Sequence, residues 1–287
     1  MSRVSYVNGA YVHHCEAMVH IEDRGYQFSD GIYEYFAFYN RTLVDAGLHF
    51  KRLERSLAEL QIALPMSTRA MAIVIRELIE RNGREDGGVY LQISRGVARR
   101  DHAFPKQVKP SLVITVCGSK LPSEDQLKNG VKVITQPDIR WDRCDIKSLS
   151  LLGNILAKQT AAEVKAREAW LVDGKTVTEG SASNAYIVTK KGELITHPAN
   201  HAILGGITRD VVLKLARKHK ITVRERSFTL AEAKSAAEAF MTSTSANVLP
   251  VVMVDNQRIG SGKPGPITMQ LQELYAKHIF KQTGKRI

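Results

Sequence analysis

Short apolar and aromatic runs near the N-terminus are separated by polar turn residues, and this pattern predicts short β-strands. The stretch VSYVNGAYV carries a hairpin signal at Asn8-Gly9, and GIYEYFAFYNRTLV is a β-prone run that turns at Asn40. Two later runs, VYLQISR at 89–95 and SLVITVC at 111–117, predict further strands. Together these runs predict a small, mostly antiparallel sheet.

Between these strands the apolar spacing changes to that of amphipathic helices. One predicted helix begins at Leu48 and stops near Pro65, and a second ends at Asn82-Gly83. The apolar positions that define them are Phe50, Leu53, Leu57 and Leu60, then Met71, Val74, Ile75, Leu78 and Ile79. The first lobe is therefore predicted to be α+β, with its helices segregated from its sheet.

A polar connector, GSKLPSEDQLKNG at 118–130, predicts a linker to a second lobe. That lobe contains many short apolar runs with turn residues between them, and the predicted strands are VKVITQ, EAWLV, TVTEG, AYIVT, ELIT, AEAFMTS and VVMVD. Helical spacing covers NILAKQTAAEVKA, Thr208 to Lys220 and Met269 to Phe280. We therefore expect a small α+β domain at 1–119 and a larger, strand-rich domain at 120–287.

Composition excludes several classes of protein. The chain has 44% apolar and 24% charged residues, which is ordinary for a globular protein, and its formal charge of +12 is spread along the chain. We therefore expect no nucleic-acid partner. The N-terminus has no signal-peptide core and the longest apolar run covers 112–117, so we expect a cytoplasmic protein without membrane segments. Cys15, Cys117 and Cys144 are widely spaced, which predicts neither a disulfide framework nor a metal site.

Two ionisable residues stand in unusual surroundings. Lys147 lies in RWDRCDIKSLSLLGN at 140–154, just before an apolar run. Its ammonium either reaches out to water or is held in a site as a catalytic amine. Glu179 lies in TVTEGSASNAY at the end of a predicted strand, where it either points into a cleft or solvates an exposed turn. Position alone leaves both alternatives open.

Two loops have the composition of phosphate-binding turns. AILGGITRDVV places Gly205-Gly206 ahead of a helix whose first turn holds Thr208, and a helix start with nearby glycines favours an anion. The alternative is an ordinary loop in which Thr208 caps the helix. TSTSAN at 242–247 is a hydroxyl-rich turn. An amine, a carboxylate and two such loops are the groups that pyridoxal phosphate requires.

The sequence resembles the D-amino-acid aminotransferases of the branched-chain-aminotransferase-like class, which are pyridoxal-phosphate enzymes of fold type IV. The matching stretches span nearly the whole chain and are EDRGYQFSDGIYE, SRGVARRDHAFP, DIRWDRCDIKSLSLLGN, VTEGSASN, HPANHAILGGITRDVV and TSTSAN. The resemblance implies a two-domain α+β fold with pyridoxal 5'-phosphate in the interdomain cleft. It also implies a homodimer.

By this resemblance Lys147 bonds covalently to the cofactor, is displaced by the amino acid, and then serves as the base at the substrate Cα. Glu179 is expected to pair with the pyridine nitrogen. Leu204 is expected to lie against the ring. The phosphate is expected to contact Arg52 from the small domain, together with Ile207, Thr208 and Thr244.

The resemblance also implies a group that receives the substrate α-carboxylate, formed by Tyr33 with Arg100 and His102 of the neighbouring subunit. Arg99 is the alternative to Arg100. The implied reaction is ping-pong transamination of D-amino acids of the D-alanine and D-glutamate type with 2-oxo acids. Alternatives within the fold are a branched-chain L-amino-acid aminotransferase, an (R)-amine transaminase and an aminodeoxychorismate lyase. A basic non-enzymatic binding protein is the alternative from another class.

Overall fold

The computed structural model describes residues 3–119 and 121–287, and these divide into two compact units. The first unit contains 3–119, Ile146–Ser150 and Lys281–Lys285. The second unit contains Leu121–Asp145, Leu151–Phe280 and Arg286–Ile287. The chain therefore passes from the second unit into the first and back at residues 146–150.

The first unit is built on one six-stranded sheet. Its strands are β1 (Val4–Val7), β2 (Ala10–His13), β3 (Gly31–Tyr39), β4 (Thr42–Leu43), β5 (Gly87–Ser94) and β6 (Ser111–Cys117). The strand order is β2-β1-β6-β5-β3-β4, and every neighbouring pair is antiparallel. The predicted antiparallel sheet is confirmed, including the turn at Asn40, whose φ of 46° suits a tight connection.

Within residues 3–119, three α-helices accompany this sheet, α1 (Arg24–Phe28), α2 (Ala46–Glu59) and α3 (Thr68–Arg81), together with one 3-10 helix at His14–Glu16. The two predicted helices are confirmed as α2 and α3, because their apolar residues pack against β3, β5 and β6 in one core. Leu53 and Leu57 of α2 are buried in this core, and so are Met71, Ile75, Leu78 and Ile79 of α3. Helix α2 also buries a polar stripe of His49, Arg52 and Ser56. Helix α1 was not predicted, since five residues are too few to show a period.

The segment 146–150 extends the first unit along the start of β3. The Tyr33 N–H donates to the Lys147 carbonyl (3.0 Å), and the Leu149 N–H donates to the Gly31 carbonyl (3.0 Å). Ile32 and Ser148 form an antiparallel bridge. Lys147 is therefore held as part of a short strand at the beginning of β3.

The second unit is strand-rich, as predicted. Its strands are β7 (Val131–Pro137), β8 (Glu168–Asp173), β9 (Thr176–Gly180), β10 (Asn184–Val188), β11 (Leu194–Thr196), β12 (Val223–Glu225), β13 (Phe228–Thr229), β14 (Glu238–Ser243), β15 (Asn247–Val254) and β16 (Gln257–Arg258). They form a ten-stranded sheet in the order β12-β11-β10-β14-β15-β7-β8-β9-β13, with β16 beside β15. Three pairs are parallel, namely β7–β8, β7–β15 and β11–β12, so this sheet is mixed.

Five helices follow in the chain: α4 (Glu124–Asn129), α5 (Leu152–Glu163), α6 (Ile207–Lys218), α7 (Leu230–Ser235) and α8 (Pro266–Thr283). The predicted helices are confirmed as α5, α6 and α8. Helix α4 forms inside the predicted linker 118–130, where Ser123 and Gln126 make a capping box; Lys120 of that linker lies outside the described residues. Within 3–119 and 121–287, no helix is long and apolar enough to cross a bilayer.

Candidate active site

Lys147 is half-buried, and its backbone and side chain are both held within the first unit. Besides the bond from Tyr33, the Lys147 N–H donates to Ser56 Oγ on α2 (3.4 Å). The Lys147 Nζ lies 4.1 Å from the centre of the Tyr33 ring, within the range of a cation–π contact. Tyr33 in turn stacks on Tyr90 of β5, with 5.7 Å between the ring centres. The structure thus brings two of the predicted site residues, Lys147 and Tyr33, into direct contact.

Arg52 lies on the buried polar stripe of α2 and pairs with a carboxylate of β3. Its Nε and Nη2 donate to the two oxygens of Glu34 at 3.0 and 2.6 Å. The His49 ring adds a third contact to Glu34 at 3.0 Å. Burial alone would raise the pKa of Glu34, but the Arg52 charge and the His49 hydrogen bond hold that pKa well below its usual range. Arg52 is therefore a fixed, buried cation rather than a solvated surface arginine.

Arg100 and His102 lie in an exposed loop of the first unit. Both side chains face the ring of Phe28, the last residue of α1. The Arg100 guanidinium carbon is 4.5 Å from the ring centre, and the His102 ring centre is 5.4 Å from it. Arg100 and His102, which are predicted to receive the substrate carboxylate, therefore both lie against the Phe28 ring. Arg99 is also exposed.

Glu179 is buried at the end of β9 and accepts hydrogen bonds from three residues of the second unit. Arg140 Nη1 donates to Oε1 at 2.5 Å, and the Leu204 N–H lies 3.1 Å from both carboxylate oxygens. Asn184 Nδ2 donates to Oε2 at 3.0 Å. The alternative of an exposed turn acid is wrong. Burial raises the pKa of Glu179 to about 7, and the Arg140 charge and the Leu204 N–H work against this rise.

Arg140 is itself held by a second carboxylate. Its Nε and Nη2 donate to Asp138 at 2.9 and 2.7 Å, and Nη2 also reaches the Ala202 carbonyl at 3.2 Å. Thr178 Oγ1 donates to Asp138 Oδ2 at 2.7 Å. Burial alone would lower the pKa of Arg140, but the hydrogen bonds of Asp138 and the charge of Glu179 raise it, so the guanidinium stays charged. Because Asp138 holds the Arg140 guanidinium in place, that guanidinium in turn fixes the position of the Glu179 carboxylate.

Asn184 connects Glu179 to the start of α6. Its Nδ2 also donates to the Leu204 carbonyl at 2.8 Å, and its Oδ1 lies where a side chain on Gly206 would be, 2.1 Å from a Cβ built there. Gly206 is the N-cap of α6 and supplies no side-chain cap. The alternative in which Thr208 caps this helix is therefore wrong. The N-cap of α6 thus offers no side chain to bond the first N–H groups of the helix, and such groups favour an anion.

The other residues expected at the phosphate also lie in the second unit. Ile207 and Thr208 are the first two residues of α6 and are both buried. Thr208 Oγ1 lies 3.3 Å from the hydroxyl of Tyr275 on α8. Thr244 is half-buried in the turn between β14 and β15, where Ser243 Oγ accepts a hydrogen bond from the Ala246 N–H (3.1 Å). Leu204 precedes the two glycines and is half-buried.

Several residues that hold predicted site residues within their own unit received no role from the sequence. Arg140, Asn184, Arg24 and Phe28 all lie in stretches that carried the resemblance, but nothing in their spacing distinguished them from surface residues. The exception is the pair Asp138 and Arg140, because alternate residues of opposite charge lie on one side of an extended chain.

Comparison with known proteins identifies the class. Residues 31–254 match the family model described as amino-transferase class IV, and the chain belongs to this family. The predicted pyridoxal-phosphate-dependent aminotransferase of fold type IV is thereby confirmed, and so is the two-domain α+β class.

The relatives are more specific. The chain is 46% identical to a D-alanine aminotransferase of Staphylococcus haemolyticus over 97% of this chain and 99% of that protein. It is 43% identical to a D-alanine aminotransferase of Bacillus licheniformis over 98% of both chains. Among solved structures, a branched-chain amino acid aminotransferase of Escherichia coli is 23% identical, with a TM-score of 0.90 over 100% of this chain and 97% of that chain. This last likeness is one of fold.

The residues present fit pyridoxal phosphate. Glu179 is a buried carboxylate already surrounded by N–H donors, and a carboxylate is the partner that a protonated pyridine nitrogen needs. The uncapped start of α6 and the adjacent glycines suit a phosphate. Lys147 offers an amine that is half-buried and fixed by its own backbone pairing.

Proposed function

We propose that this protein transfers the amino group of D-amino acids of the D-alanine and D-glutamate type to 2-oxo acids. The observation that carries the proposal is that Arg100 and His102 both lie against the ring of Phe28, because a guanidinium and an imidazole are groups that suit a carboxylate. The identity of 43–46% to D-alanine aminotransferases supports the same substrate class. The branched-chain aminotransferase of Escherichia coli, at 23% identity, supports the fold and gives no preference for branched-chain L-substrates.

Each site residue has a proposed role. Lys147 is the covalent anchor of the cofactor, and Glu179 the partner of its ring nitrogen. Arg52, Ile207, Thr208 and Thr244 hold the phosphate, and Leu204 lies against the ring. Tyr33, Arg100 and His102 receive the substrate α-carboxylate. The predicted domain division at 1–119 and 120–287 belongs to this proposal as well.

When bound, pyridoxal phosphate supplies an aldehyde carbon for the amino group and a ring that withdraws electrons from Cα. The protein then has three tasks. Lys147 Nζ would take the proton from the substrate Cα and deliver it to the carbon that the cofactor's aldehyde supplies. Glu179, fixed by Arg140 and Asn184, keeps a negative charge beside the ring nitrogen when the ring carries a proton.

The third task is orientation. A guanidinium binds a carboxylate at two points, so Arg100 with His102 fixes which substituent of Cα faces Lys147. An enzyme that holds the carboxylate of a D-amino acid in this way cannot present the hydrogen of the L-enantiomer to the same base. Enantiomer choice therefore depends on the loop 99–104.

The first test is the visible spectrum of the holoenzyme with D-alanine, L-alanine and L-leucine in parallel. We expect the yellow absorbance of the lysine-bound cofactor to disappear with D-alanine alone. Loss with L-leucine would instead indicate the branched-chain reaction. Repeated release of pyruvate without an amino acceptor, beyond the single pyruvate per site that the D-alanine half-reaction gives, would indicate a lyase. Turnover of amines that have no carboxylate would indicate an amine transaminase.

Two variants test the residue roles. Lys147→Ala should lose the yellow absorbance and the half-reaction, whereas Arg100→Ala should raise KM for D-alanine far more than it changes the affinity for the cofactor. Arg99→Ala is the matched control, since Arg99 is the exposed neighbour. Full turnover by Lys147→Ala would refute the assignment of the anchor, and an effect on KM from Arg99 instead of Arg100 would reassign the receptor.

We also propose a homodimer in which each subunit lends Arg100 and His102 to its partner's site. Large apolar side chains are exposed on both units. Those of the first unit include Met18 (78% exposed), Ile21 and Tyr26 (both 75%), and those of the second include Ile139, Leu152, Ile155 and Leu156. Where such side chains form a contiguous patch, that patch marks a protein interface.

A subunit-mixing experiment tests this arrangement. Lys147→Ala subunits and Arg100→Ala subunits are each impaired, but a hybrid dimer would contain one complete site if Arg100 serves the partner. Random reassortment makes half of the dimers hybrid, so about a quarter of the parent activity should return. Arg100→Ala subunits mixed with parent subunits form the control. No recovery after verified exchange of subunits would place Arg100 at the site of its own chain.

The cytoplasmic location remains a proposal. It is supported by the three cysteines, Cys15, Cys117 and Cys144, which are all free thiols, as expected in a reducing compartment.

A further inference from the structure

The backbone of the loop that carries His102 is held by one buried guanidinium. Arg24 of α1 is only 3% exposed. Its Nη1 donates to the carbonyls of Asp101 at 2.5 Å and Ala103 at 3.5 Å, and its Nη2 donates to the carbonyl of His102 at 3.4 Å. Three successive carbonyls of an exposed loop thus converge on a single side chain.

Arg24 is also bonded to the carboxylate of Asp30, which it shares with Arg95. Its Nε donates to Asp30 Oδ2 at 2.7 Å, and Arg95 donates to the same carboxylate from Nε at 2.7 Å and from Nη2 at 3.0 Å. Burial alone would raise the pKa of Asp30, but the hydrogen bonds of Arg95 and Arg24 lower it. Arg95 also lies 3.6 Å from the centre of the Phe104 ring. Asp30 therefore anchors the stretch 101–104 of the loop, through Arg24 at 101–103 and through Arg95 at Phe104.

Helix α1 carries both Arg24, which bonds the loop backbone, and Phe28, whose ring Arg100 contacts. The guanidinium carbon of Arg24 lies 4.8 Å from the centre of the Phe28 ring, the ring that Arg100 also contacts. The helix is held at its start by Asp23, which accepts from the Gly25 N–H and from Ser94 Oγ, both at 2.8 Å. The positions of Arg24 and Phe28 are therefore set together, and the loop rests on both.

We infer that Arg24 is a positioning residue for the carboxylate receptor, and that it sets the affinity for amino acid and 2-oxo acid by fixing the loop from which Arg100 and His102 project. The inference rests on the proposed function, since it assigns these two side chains to the substrate carboxylate. Arg24 reaches the loop through backbone carbonyls, so it acts through Arg100 and His102 and has no direct role in the chemistry.

A buried guanidinium carries a large desolvation penalty, which its partners must offset. Asp30 offsets part of it, and the remaining donors of Arg24 are directed to the loop carbonyls. Lysine cannot replace this arrangement, because one ammonium lacks the planar fork that reaches a carboxylate and several carbonyls at once. The conservative variant Arg24→Lys keeps the positive charge and removes the planar guanidinium, so it separates the effect of the charge from that of the hydrogen-bond geometry.

The test measures KM and kcat of the holoenzyme for D-alanine and for a 2-oxo acid. We expect Arg24→Met to raise both KM values about tenfold, equivalent to ~1.4 kcal/mol, while kcat changes much less. Arg24→Lys should recover part of this loss. Arg81→Met is the matched control, because Arg81 likewise pairs with a carboxylate (Glu77, 2.7 Å) and lies over an aromatic ring (Tyr11, 4.3 Å) of the same unit. Its KM values should equal those of the parent.

A double variant shows whether Arg24 acts through the loop. In an Arg100→Ala background, Arg24→Met should raise KM by a clearly smaller factor than in the parent, since much of what it positions is gone. Equal factors in both backgrounds would overturn the inference. So would parent-like KM values in Arg24→Met, or a lower melting temperature with KM unchanged. If Arg24→Met does not fold, Arg24→Lys provides the same comparison.

The failure of this inference differs from a failure of the proposed function. If Arg100→Ala leaves KM unchanged, the receptor itself is misassigned. If Arg100→Ala raises KM and Arg24→Met does not, the receptor stands and only the role of Arg24 is refuted.

Discussion

Replacing Glu179 with glutamine should change how the stability of the cofactor-free protein depends on pH. The pKa of Glu179 is raised from 4.5 to about 7 by burial. A carboxyl whose pKa is higher in the folded state favours folding fully below its unfolded pKa, and this contribution is lost as the pH rises through the folded pKa. The rise corresponds to about 3 kcal/mol of unfolding free energy.

The assay is urea unfolding of the cofactor-free parent and of Glu179→Gln between pH 4 and about 8, with the slope m checked for constancy. The difference in unfolding free energy, parent minus variant, should fall by about 3 kcal/mol between pH ~4.5 and ~7 and then level off. Groups that titrate in both proteins, such as His49, cancel in this difference.

Glu225→Gln provides a control of opposite sign. Arg209 and Arg217 lower the pKa of Glu225 despite its partial burial, so its contribution is lost as the pH falls rather than as it rises. If the difference in unfolding free energy between the parent and Glu179→Gln did not change with pH, the Arg140 charge would fully offset the effect of burial on the pKa of Glu179. A difference that grows with pH would show that it more than offsets burial, and either result would refute the reasoning.

Three further substitutions test the surroundings of Glu179 and of α8. Gly206→Ala should destabilise the protein by about 1–3 kcal/mol in thermal unfolding, because the new Cβ would lie 2.1 Å from Asn184 Oδ1, whereas Gly205→Ala, with open space around its Cβ, should not. Arg140→Met should lower the unfolding free energy by about 3–5 kcal/mol at neutral pH, since it leaves Glu179 and Asp138 without their shared cation; a loss below about 1 kcal/mol would contradict this. Glu238→Gln should cost about 1–2 kcal/mol by chemical denaturation, because Glu238 accepts from two N–H groups at the start of α8; unchanged stability would mean that water replaces this cap.

The sequence predicted the regular elements well where a period was long enough to be seen. Helices α2 and α3 repeat their apolar positions over about four turns, and each buries those positions in the core. Two short helices were not predicted because α1, with five residues, and α7, with six, are too short to show a helical period. The capping box of α7, Thr229 with Glu232, is a local signal that could have revealed it.

The site was predicted less completely, because its support comes from residues distant in the chain. Glu179 depends on Arg140, which is 39 positions away, and loop 101–103 depends on Arg24, which is 77 positions from Asp101. No local pattern records such a contact. The family resemblance named the residues expected to touch the cofactor or substrate, whereas the charges that hold those residues in place became visible only in the folded chain.

The segment 146–150, which belongs to the first unit although the chain on both sides of it belongs to the second, limits how this protein can be divided into fragments. No single cut in the chain separates the two units, because Lys147 and its neighbours complete the edge of β3 while the chain on both sides belongs to the other unit. A fragment ending at residue 119 would leave the Tyr33 N–H without the Lys147 carbonyl and would lack the lysine itself. Fragment complementation would therefore have to rebuild this backbone pairing, and circular permutants should tolerate new ends in surface turns such as Asp173-Gly174 but not within 146–150.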